Sequence, residues 1–174
     1  MIVWINGTFG VGKTTTARHL HELTGWPVFD PEHVGYLVGG HLRDLEFDDF
    51  QDLPPWRSLV PKVADELMRF RDVGHLVAVQ SVLREAYWVE LVAGFEALGH
   101  RVLHIVLDGR PAVIEARIRA DRDEPDALQW RLDHLERFAD ARTRWLLETA
   151  DLVIDSSDLD PVAVAQRIDA AVDR

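Results

Sequence analysis

Eight residues near the beginning of the chain have the types and spacing of a phosphate-binding loop. They follow the pattern G-x-x-x-x-G-K-[ST] and are Gly7, Thr8, Phe9, Gly10, Val11, Gly12, Lys13 and Thr14. Glycines let backbone N–H groups approach phosphate oxygens closely, because they adopt positive φ angles and carry no side chain. The sequence therefore predicts an anion-binding loop here.

The end of this loop supplies the groups that a nucleoside triphosphate needs. The ammonium of Lys13 can reach the β- and γ-phosphates, and the hydroxyl of Thr14 can coordinate Mg²⁺. A helix that begins here directs the positive end of its dipole towards the same phosphates. We expect residues 7–15, with Thr15 as the last contact, to bind ATP and Mg²⁺.

Short apolar runs alternate with stretches of helical period along the chain. The predicted strands are 2–6, 27–29, 76–80, 102–107 and 152–155. The predicted helices are 13–23, 31–42, 54–71, 84–98, 111–120, 127–149 and 161–172. This alternation predicts an α/β fold with three layers, in which helices cover both faces of a five-stranded parallel sheet.

Aspartates and glycines mark several expected helix ends. Asp30, Asp52 and Asp160 lie beside or close to prolines that can open a helix, so their carboxylates are candidate N-caps. Gly25 and Gly99 follow helical stretches and are candidate left-handed C-caps.

The composition narrows the class of protein. A chain of 174 residues fits one domain, 1–174, and its net charge of -11 disfavours binding to nucleic acid. It has no cysteine and no apolar run of about 20 residues, so we expect a cytoplasmic protein without a transmembrane segment. A monomer and a homodimer are both compatible with the sequence.

Two features distinguish among phosphate-loop proteins. The only asparagine is Asn6, so the chain lacks the N-K-x-D motif with which Ras-type GTPases recognise guanine. The third predicted strand runs into Gln80 and Ser81, without the carboxylate expected of a motor ATPase. A small kinase or phosphotransferase fits better.

Asp30 is the candidate catalytic carboxylate. It ends the second predicted strand, and the carboxyl ends of parallel strands face the same crevice as the phosphate loop. Its carboxylate could accept the proton of an acceptor hydroxyl or hold the metal, or it could only cap the helix that follows. Gln80 and Ser81 end the next strand and could bind the acceptor or pack at the sheet end.

A group of arginines follows the fourth predicted strand. Arg117, Arg119 and Arg122 lie in residues 110–130, where an arginine-bearing helical lid could close over ATP. Among them, Arg117 and Arg122 are the candidates for neutralising charge on the γ-phosphate. The alternative is a solvated helix face on which they pair with Glu115 and Asp121.

Three segments together resemble a known family. They are Trp4-Ile5-Asn6 followed by the loop, Phe29-Asp30-Pro31-Glu32, and Asp48-Asp49-Phe50-Gln51 followed by Pro54, Trp56 and Arg57. The first 60 residues or so resemble the bacterial tunicamycin-resistance ATP-binding proteins. Residues 107–156 are similar instead to the lids of chloramphenicol phosphotransferases and gluconate-kinase-like enzymes.

The resemblance implies a nucleotide-kinase-like P-loop NTPase fold with Asp30 at the catalytic carboxylate position. It implies an acceptor pocket walled by residues 31–72, with Gln51 among the residues that contact the acceptor. Because tunicamycin mimics a UDP-sugar, it also implies a small-molecule acceptor that can contain uridine. Gln80, at the end of the third predicted strand, is also expected to contact the acceptor.

Other side chains in this region have two interpretations each. Arg57 could clamp an acceptor phosphate or stack on a base, or it could lie over Trp56. Asp48, Asp49 and Asp52 could assist a metal, although an acidic run before a helix is more typical of capping. The eight histidines are expected to be structural or solvent-facing.

Two functions follow. In the first, Lys13, Asp30, Arg117 and Arg122 catalyse phosphoryl transfer from ATP to a small acceptor. In the second, the same fold binds a nucleotide-like antibiotic and sequesters it without turnover.

Overall fold

The computed structural model describes residues 1–121 and 127–172, and it contains one sheet of five parallel strands. They are β1 (Ile2–Asn6), β2 (Val28–Phe29), β3 (Leu76–Val79), β4 (Val102–Asp108) and β5 (Leu152–Asp155). Their order in the sheet is β2-β3-β1-β4-β5, and every pairing is parallel. The predicted α/β fold with a five-stranded parallel sheet is confirmed.

Seven α-helices connect and cover these strands in the described part of the chain. They are α1 (Lys13–Thr24), α2 (Glu32–His41), α3 (Pro54–Arg71), α4 (Glu85–Ala97), α5 (Pro111–Ala120), α6 (Leu128–Ala141) and α7 (Pro161–Val172). A 3₁₀ turn (Phe50–Asp52) precedes α3, and a π-helical turn (Arg142–Leu146) follows α6. None of the described helices has the length and apolar character needed to cross a membrane.

The central strand β1 is buried along its whole length and separates two apolar cores. Ile2 and Trp4 belong to the core that includes buried residues of α3 and α4. Val3 and Ile5 belong to the core that includes buried residues of α1 and α7. Alternate side chains of a strand point to opposite faces, so this division gives the three layers.

The predicted caps at four helix ends are confirmed. The carboxylates of Asp30 and Asp160 each accept the N–H of the residue two positions ahead, at 2.9 and 2.8 Å. Gly25 and Gly99 have φ angles of 75° and 82°, the left-handed conformation that ends a helix and turns the chain.

The prediction that Asp52 caps α3 is wrong. The N-cap position of α3 is Leu53, which has no side-chain hydrogen bond to offer. The carboxylate of Asp52 instead accepts hydrogen bonds from Arg84 Nη1 at 2.7 Å and Tyr87 OH at 2.8 Å. Asp49 is the capping residue of this region, because its Oδ1 accepts the N–H of the 3₁₀ turn at 2.9 Å.

Candidate nucleotide and acceptor site

The phosphate loop joins β1 to α1 and depends on glycine for two different reasons. Gly7 has a φ of 139°, and a Cβ there would lie 2.5 Å from the carbonyl oxygen of Leu107. Gly12 has a φ of 98°, and a Cβ there would meet nothing within 4 Å. The first glycine permits close packing on the neighbouring strand, and the last permits a backbone angle that other residues rarely adopt.

Two serines hold the loop from either side. Ser81, just beyond β3, donates its hydroxyl to the carbonyl of Gly7 at 2.6 Å. Ser156, just beyond β5, donates to the carbonyl of Val11 at 3.0 Å. These bonds engage two carbonyls of the loop outside the phosphate site, which suits a loop that binds anions through N–H groups.

Asn6 fixes the entrance of the loop. Its Oδ1 accepts the N–H groups of Gly7 at 2.8 Å and Val82 at 3.0 Å, and its Nδ2 lies 3.3 Å from Nε2 of His104. The His104 ring stacks on Trp88 at 4.0 Å, and burial lowers its pKa to about 4. His104 is therefore neutral near pH 7, and its Nε2 can accept the hydrogen bond from Asn6.

Lys13 lies at the head of α1 with its ammonium turned into the loop. Its Nζ donates to the carbonyl of Thr8 at 2.8 Å and lies 5.4 Å from the centre of the Phe9 ring. Burial lowers the pKa of Lys13 to about 8, against the opposite effects of the Glu32 and Asp30 carboxylates. The loop thus holds a cation that is poorly solvated before any phosphate binds.

The loop lines a cavity of about 990 Å³ that brings most of the predicted site together. Its walls include Thr8 to Thr15, and among the threonines of this segment Thr14 is the exposed one. Asp30, Gln80 and Arg117 also line it. Arg122, the other predicted lid residue, lies outside the described part of the chain.

The arginines that follow β4 divide between the site and the surface. Arg117 lines the cavity and donates through Nη2 to the carbonyl of Ser156 at 3.0 Å. Arg119 pairs with Glu115 at 2.7 Å on the exposed face, as the solvated alternative predicted. The guanidinium of Arg117 therefore fixes the segment beyond β5, which also holds the phosphate loop.

Helix α6 adds residues that the sequence analysis missed. Trp130 packs edge-on against Phe9 at 4.9 Å, and Arg131 lines the cavity while pairing with Asp121 at 2.9 Å. Only Phe9 had a place in the predicted site. No local motif marks the other residues, because α6 reaches the loop through the tertiary fold.

A second cavity of about 350 Å³ opens beside the first. The two are neighbouring parts of one crevice, because they share six lining residues: Phe9, Glu32, Phe50, Gln80, Ser81 and Trp130. Gln51 lines the second cavity and donates through Nε2 to the carbonyl of Ser81 at 2.8 Å. The crevice thus has room for a nucleotide and a second small molecule.

The structure does not bring Arg57 to either cavity. Its guanidinium donates to the carbonyl of Gln51 and to Glu90 Oε2, the latter at 2.7 Å, and lies 4.2 Å from the centre of the Tyr87 ring. Only 9% of Arg57 is exposed. Arg57 thus fixes the backbone of Gln51, and a direct contact of Arg57 with the acceptor stays a prediction.

Glu32 is the acidic residue whose place the sequence analysis did not foresee. It stands in the first turn of α2, lines both cavities, and raises the pKa of Lys13 more than Asp30 does. The sequence did carry a signal for Glu32, because it lies two residues after Asp30 in the segment Phe29-Asp30-Pro31-Glu32 that resembles the family. The boundary between the two cavities therefore carries the carboxylate of Glu32, and Asp30 lies on the wall of the first cavity.

Comparison with known proteins agrees with this geometry. A family model described as an AAA domain matches residues 2–145. The solved tunicamycin resistance protein of Deinococcus radiodurans is 32% identical, with 98% of this chain and 94% of that chain covered and a TM-score of 0.72. The chain belongs to this AAA domain family and to the tunicamycin resistance protein family. Among curated proteins, none matches.

More distant structures share the fold alone. A sugar kinase from Janibacter sp. HTCC2649 is 21% identical with a TM-score of 0.71, covering 99% of this chain and 94% of that one. The APS kinase of Mycobacterium tuberculosis, in complex with AMPPNP and APS, is 17% identical with a TM-score of 0.64, covering 99% and 97%. The fold is therefore that of P-loop kinases, and the family implies nucleotide binding.

Proposed function

We propose that the protein is an ATP-dependent phosphotransferase that acts on a small nucleotide-like or antibiotic acceptor. The observation that carries this proposal is the crevice, in which the cavity of the phosphate loop, lined by Asp30, opens into a second cavity past Glu32. A hydrolase needs room only for nucleotide and water, whereas a transferase must hold two substrates with their reacting atoms close together.

The phosphate loop would hold ATP through its N–H groups and Lys13. The exposed hydroxyl of Thr14 suits Mg²⁺, which prefers oxygen ligands and retains several waters. Bound Mg²⁺ would neutralise charge on the β- and γ-phosphates. Arg117 would add positive charge beside the transferring group, and Arg122 is proposed for the same role.

Asp30 would orient the acceptor. Its Oδ1 caps α2, and the carboxylate has a second oxygen that can accept the hydrogen of an acceptor hydroxyl. The acceptor oxygen then bonds to the γ-phosphorus as the bond to the β-phosphate oxygen breaks, and ADP leaves. Residues 31–72, through Gln51, would bind the acceptor together with Gln80, and residues 110–130 would form the lid.

One observation favours a second function, in which the protein binds an antibiotic and sequesters it. The 32% identical relative is described as a resistance protein and not as a kinase. To separate the two functions, we would incubate the protein with ATP, Mg²⁺ and either tunicamycin or uridine, and measure the acceptor by mass spectrometry. A phosphate-sized mass gain supports transfer, whereas tight binding without a modified product supports sequestration.

The variant Asp30→Asn tests the assigned catalytic role. Asparagine caps a helix as well as aspartate does, so fold and ATP affinity should persist. Transfer should fall about 10²- to 10⁴-fold, because the general base is lost. Asp160→Asn is the matched control, since Asp160 caps α7 by the same hydrogen bond and lines neither cavity. Unchanged turnover in Asp30→Asn would remove this residue from the mechanism.

A further inference from the structure

The second cavity has an excess of negative charge. Among the described residues, five carboxylates line it and only two arginines do. The carboxylates are Glu32, Asp48, Asp49, Asp52 and Asp140. An anionic ligand would have to enter against this field unless the arginines faced it directly.

The arginines of the cavity are poorly placed to bind an anion. Arg84 is paired with Asp52 at 2.7 Å and lies 5.2 Å from the centre of the Tyr87 ring. Arg137 is exposed on α6. Arg57, a buried guanidinium close to this region, is held by the carbonyl of Gln51 and by Glu90.

An acidic residue, Glu32, also lies where the second cavity meets the cavity of the phosphate loop. Asp30 and Glu32 both raise the pKa of Lys13, so their carboxylates act on the ammonium that the ATP phosphates would share. Asp49 lies deeper and caps the 3₁₀ turn. Burial raises the pKa of Asp49, and the nearby charge of Asp52 raises it further. The Gln51 N–H, His134 and Arg137 act in the opposite direction.

Aromatic rings supply the apolar part of the wall. Phe50, Tyr87 and Trp130 line the cavity, and 45% of Trp130 is exposed. Flat aromatic faces suit a ring compound, and they attract cations through their quadrupoles. The cavity therefore combines surfaces for stacking with carboxylates that accept hydrogen bonds.

We propose that the acceptor is a ring compound that carries hydroxyl groups and no anionic group, and that a protonated amine on the ring strengthens its binding. This inference rests on the proposed function and narrows it, because it selects nucleosides and amino sugars over nucleotides and sugar phosphates. The carboxylates that set this preference are Glu32, Asp48 and Asp49, because Asp52 and Asp140 are each paired with an arginine at 2.7 Å.

The first test measures the electrostatic potential of the second cavity without any acceptor. The fluorescence of Trp130 is obtained by subtracting the signal of the Trp130→Phe variant. This fluorescence is quenched with caesium, with iodide and with neutral acrylamide. The ionic strength is about 0.1 M, where the Debye length is ~10 Å. Each quenching constant is divided by that of N-acetyltryptophanamide. We expect caesium to exceed iodide at least about twofold.

Charge variants make this measurement specific. The double variant Asp48→Asn, Asp49→Asn should reduce the preference for caesium, whereas Glu66→Gln, an exposed acid on α3 that lines neither cavity, should leave it unchanged. Equal normalised quenching by caesium and iodide in the unmodified protein would overturn the inference.

The second test uses matched acceptors in the transfer assay. Uridine, uridine 5′-monophosphate and 5′-amino-5′-deoxyuridine share a base and differ in charge, as do glucose, glucose 6-phosphate and glucosamine. Phosphate gain on neutral or cationic members, with anionic members at least about tenfold slower, supports the inference. Faster gain on an anionic member overturns it. No gain on any member contradicts the proposed function instead, and the quenching result then decides the charge preference by itself.

Discussion

Lys13 links nucleotide binding to pH. Its pKa is lowered to about 8 in the free protein by burial, and phosphates would favour the charged form. At pH 7 most of the ammonium is present and at pH 8 about half, so ATP affinity should fall no more than about twofold over this range. Above pH 8 affinity should fall by up to about tenfold per pH unit, because binding must then take up a proton. Calorimetry with ATP from pH 7 to 9.5 measures this directly.

The variant Lys13→Arg is the control for this titration. Arginine stays protonated throughout the range, so its ATP affinity should be weaker but flat with pH. Parallel pH profiles for the two proteins would show that another group is responsible.

Single residues also show where prediction from the sequence succeeds and where it fails. The loop at 7–14 could be predicted because its chemistry is local, with all of its special residues inside one short motif. Arg57 could not be placed, because its partners Glu90 and Tyr87 lie about thirty residues away. Asp52 resembles a cap in sequence, but Arg84 and Tyr87 compete for its carboxylate.

At the scale of elements, α5 packs directly on the phosphate loop. Gly10 has a φ of 72°, and a Cβ there would lie 2.8 Å from Ile118 Cγ1 and 2.9 Å from the carbonyl oxygen of Ile114. Gly10→Ala should therefore combine backbone strain with a clash that pushes α5 away. We expect a loss of about 2–4 kcal/mol in the free energy of unfolding, measured with urea.

Gly12→Ala separates the clash from the strain. Gly12 also has a positive φ, yet a Cβ there meets nothing within 4 Å. Its loss of stability should be smaller, about 1–2 kcal/mol from strain alone, while ATP binding weakens because the methyl group enters the phosphate site. Equal losses of stability in the two variants would argue against the close packing of α5.

Helix boundaries were predictable where a proline opens the helix. Both bounds of α3, α5 and α7 match the prediction, and a proline is the first residue of each of these helices. The predicted helix at 127–149 instead changes at Ala141 into a π-helical turn. Trp145 and Leu146 remain buried through this turn, so the apolar period continues and the sequence gives no sign of the change.

At the scale of the whole molecule, the net charge of -11 is unevenly distributed. Among the residues that the structure describes, four basic and three acidic side chains line the cavity of the phosphate loop, whereas the second cavity has the acidic excess described above. The composition predicted that phosphate binding needs a local positive site. It could not predict the polarity of the crevice, because that depends on which distant acids α6 and the 3₁₀ turn bring together.

His104 connects the sheet to the helical layer and should control the stability of the molecule in acid. Its ring lies between Trp88 and Trp145, with Nδ1 3.2 Å from the carbonyl of Thr149. Its folded pKa is lowered to about 4 from an unfolded value near 6.5, so the unfolded chain takes up the proton first. The contribution of neutral His104 is complete above pH 6.5. As the pH falls to 4, about 3 kcal/mol of the free energy of unfolding should be lost.

Urea unfolding at several pH values between 7 and 4 tests this expectation against His104→Gln. Glutamine is polar and does not titrate, so the variant should start less stable at pH 7 but lose less stability in acid. Carboxylates titrate alike in both proteins and cancel in the difference between them. That difference should therefore shrink as the pH falls, because only the unmodified protein must bury a group that its unfolded chain protonates. A difference that stays constant from pH 7 to 4 would mean that His104 does not set the acid limit of this fold.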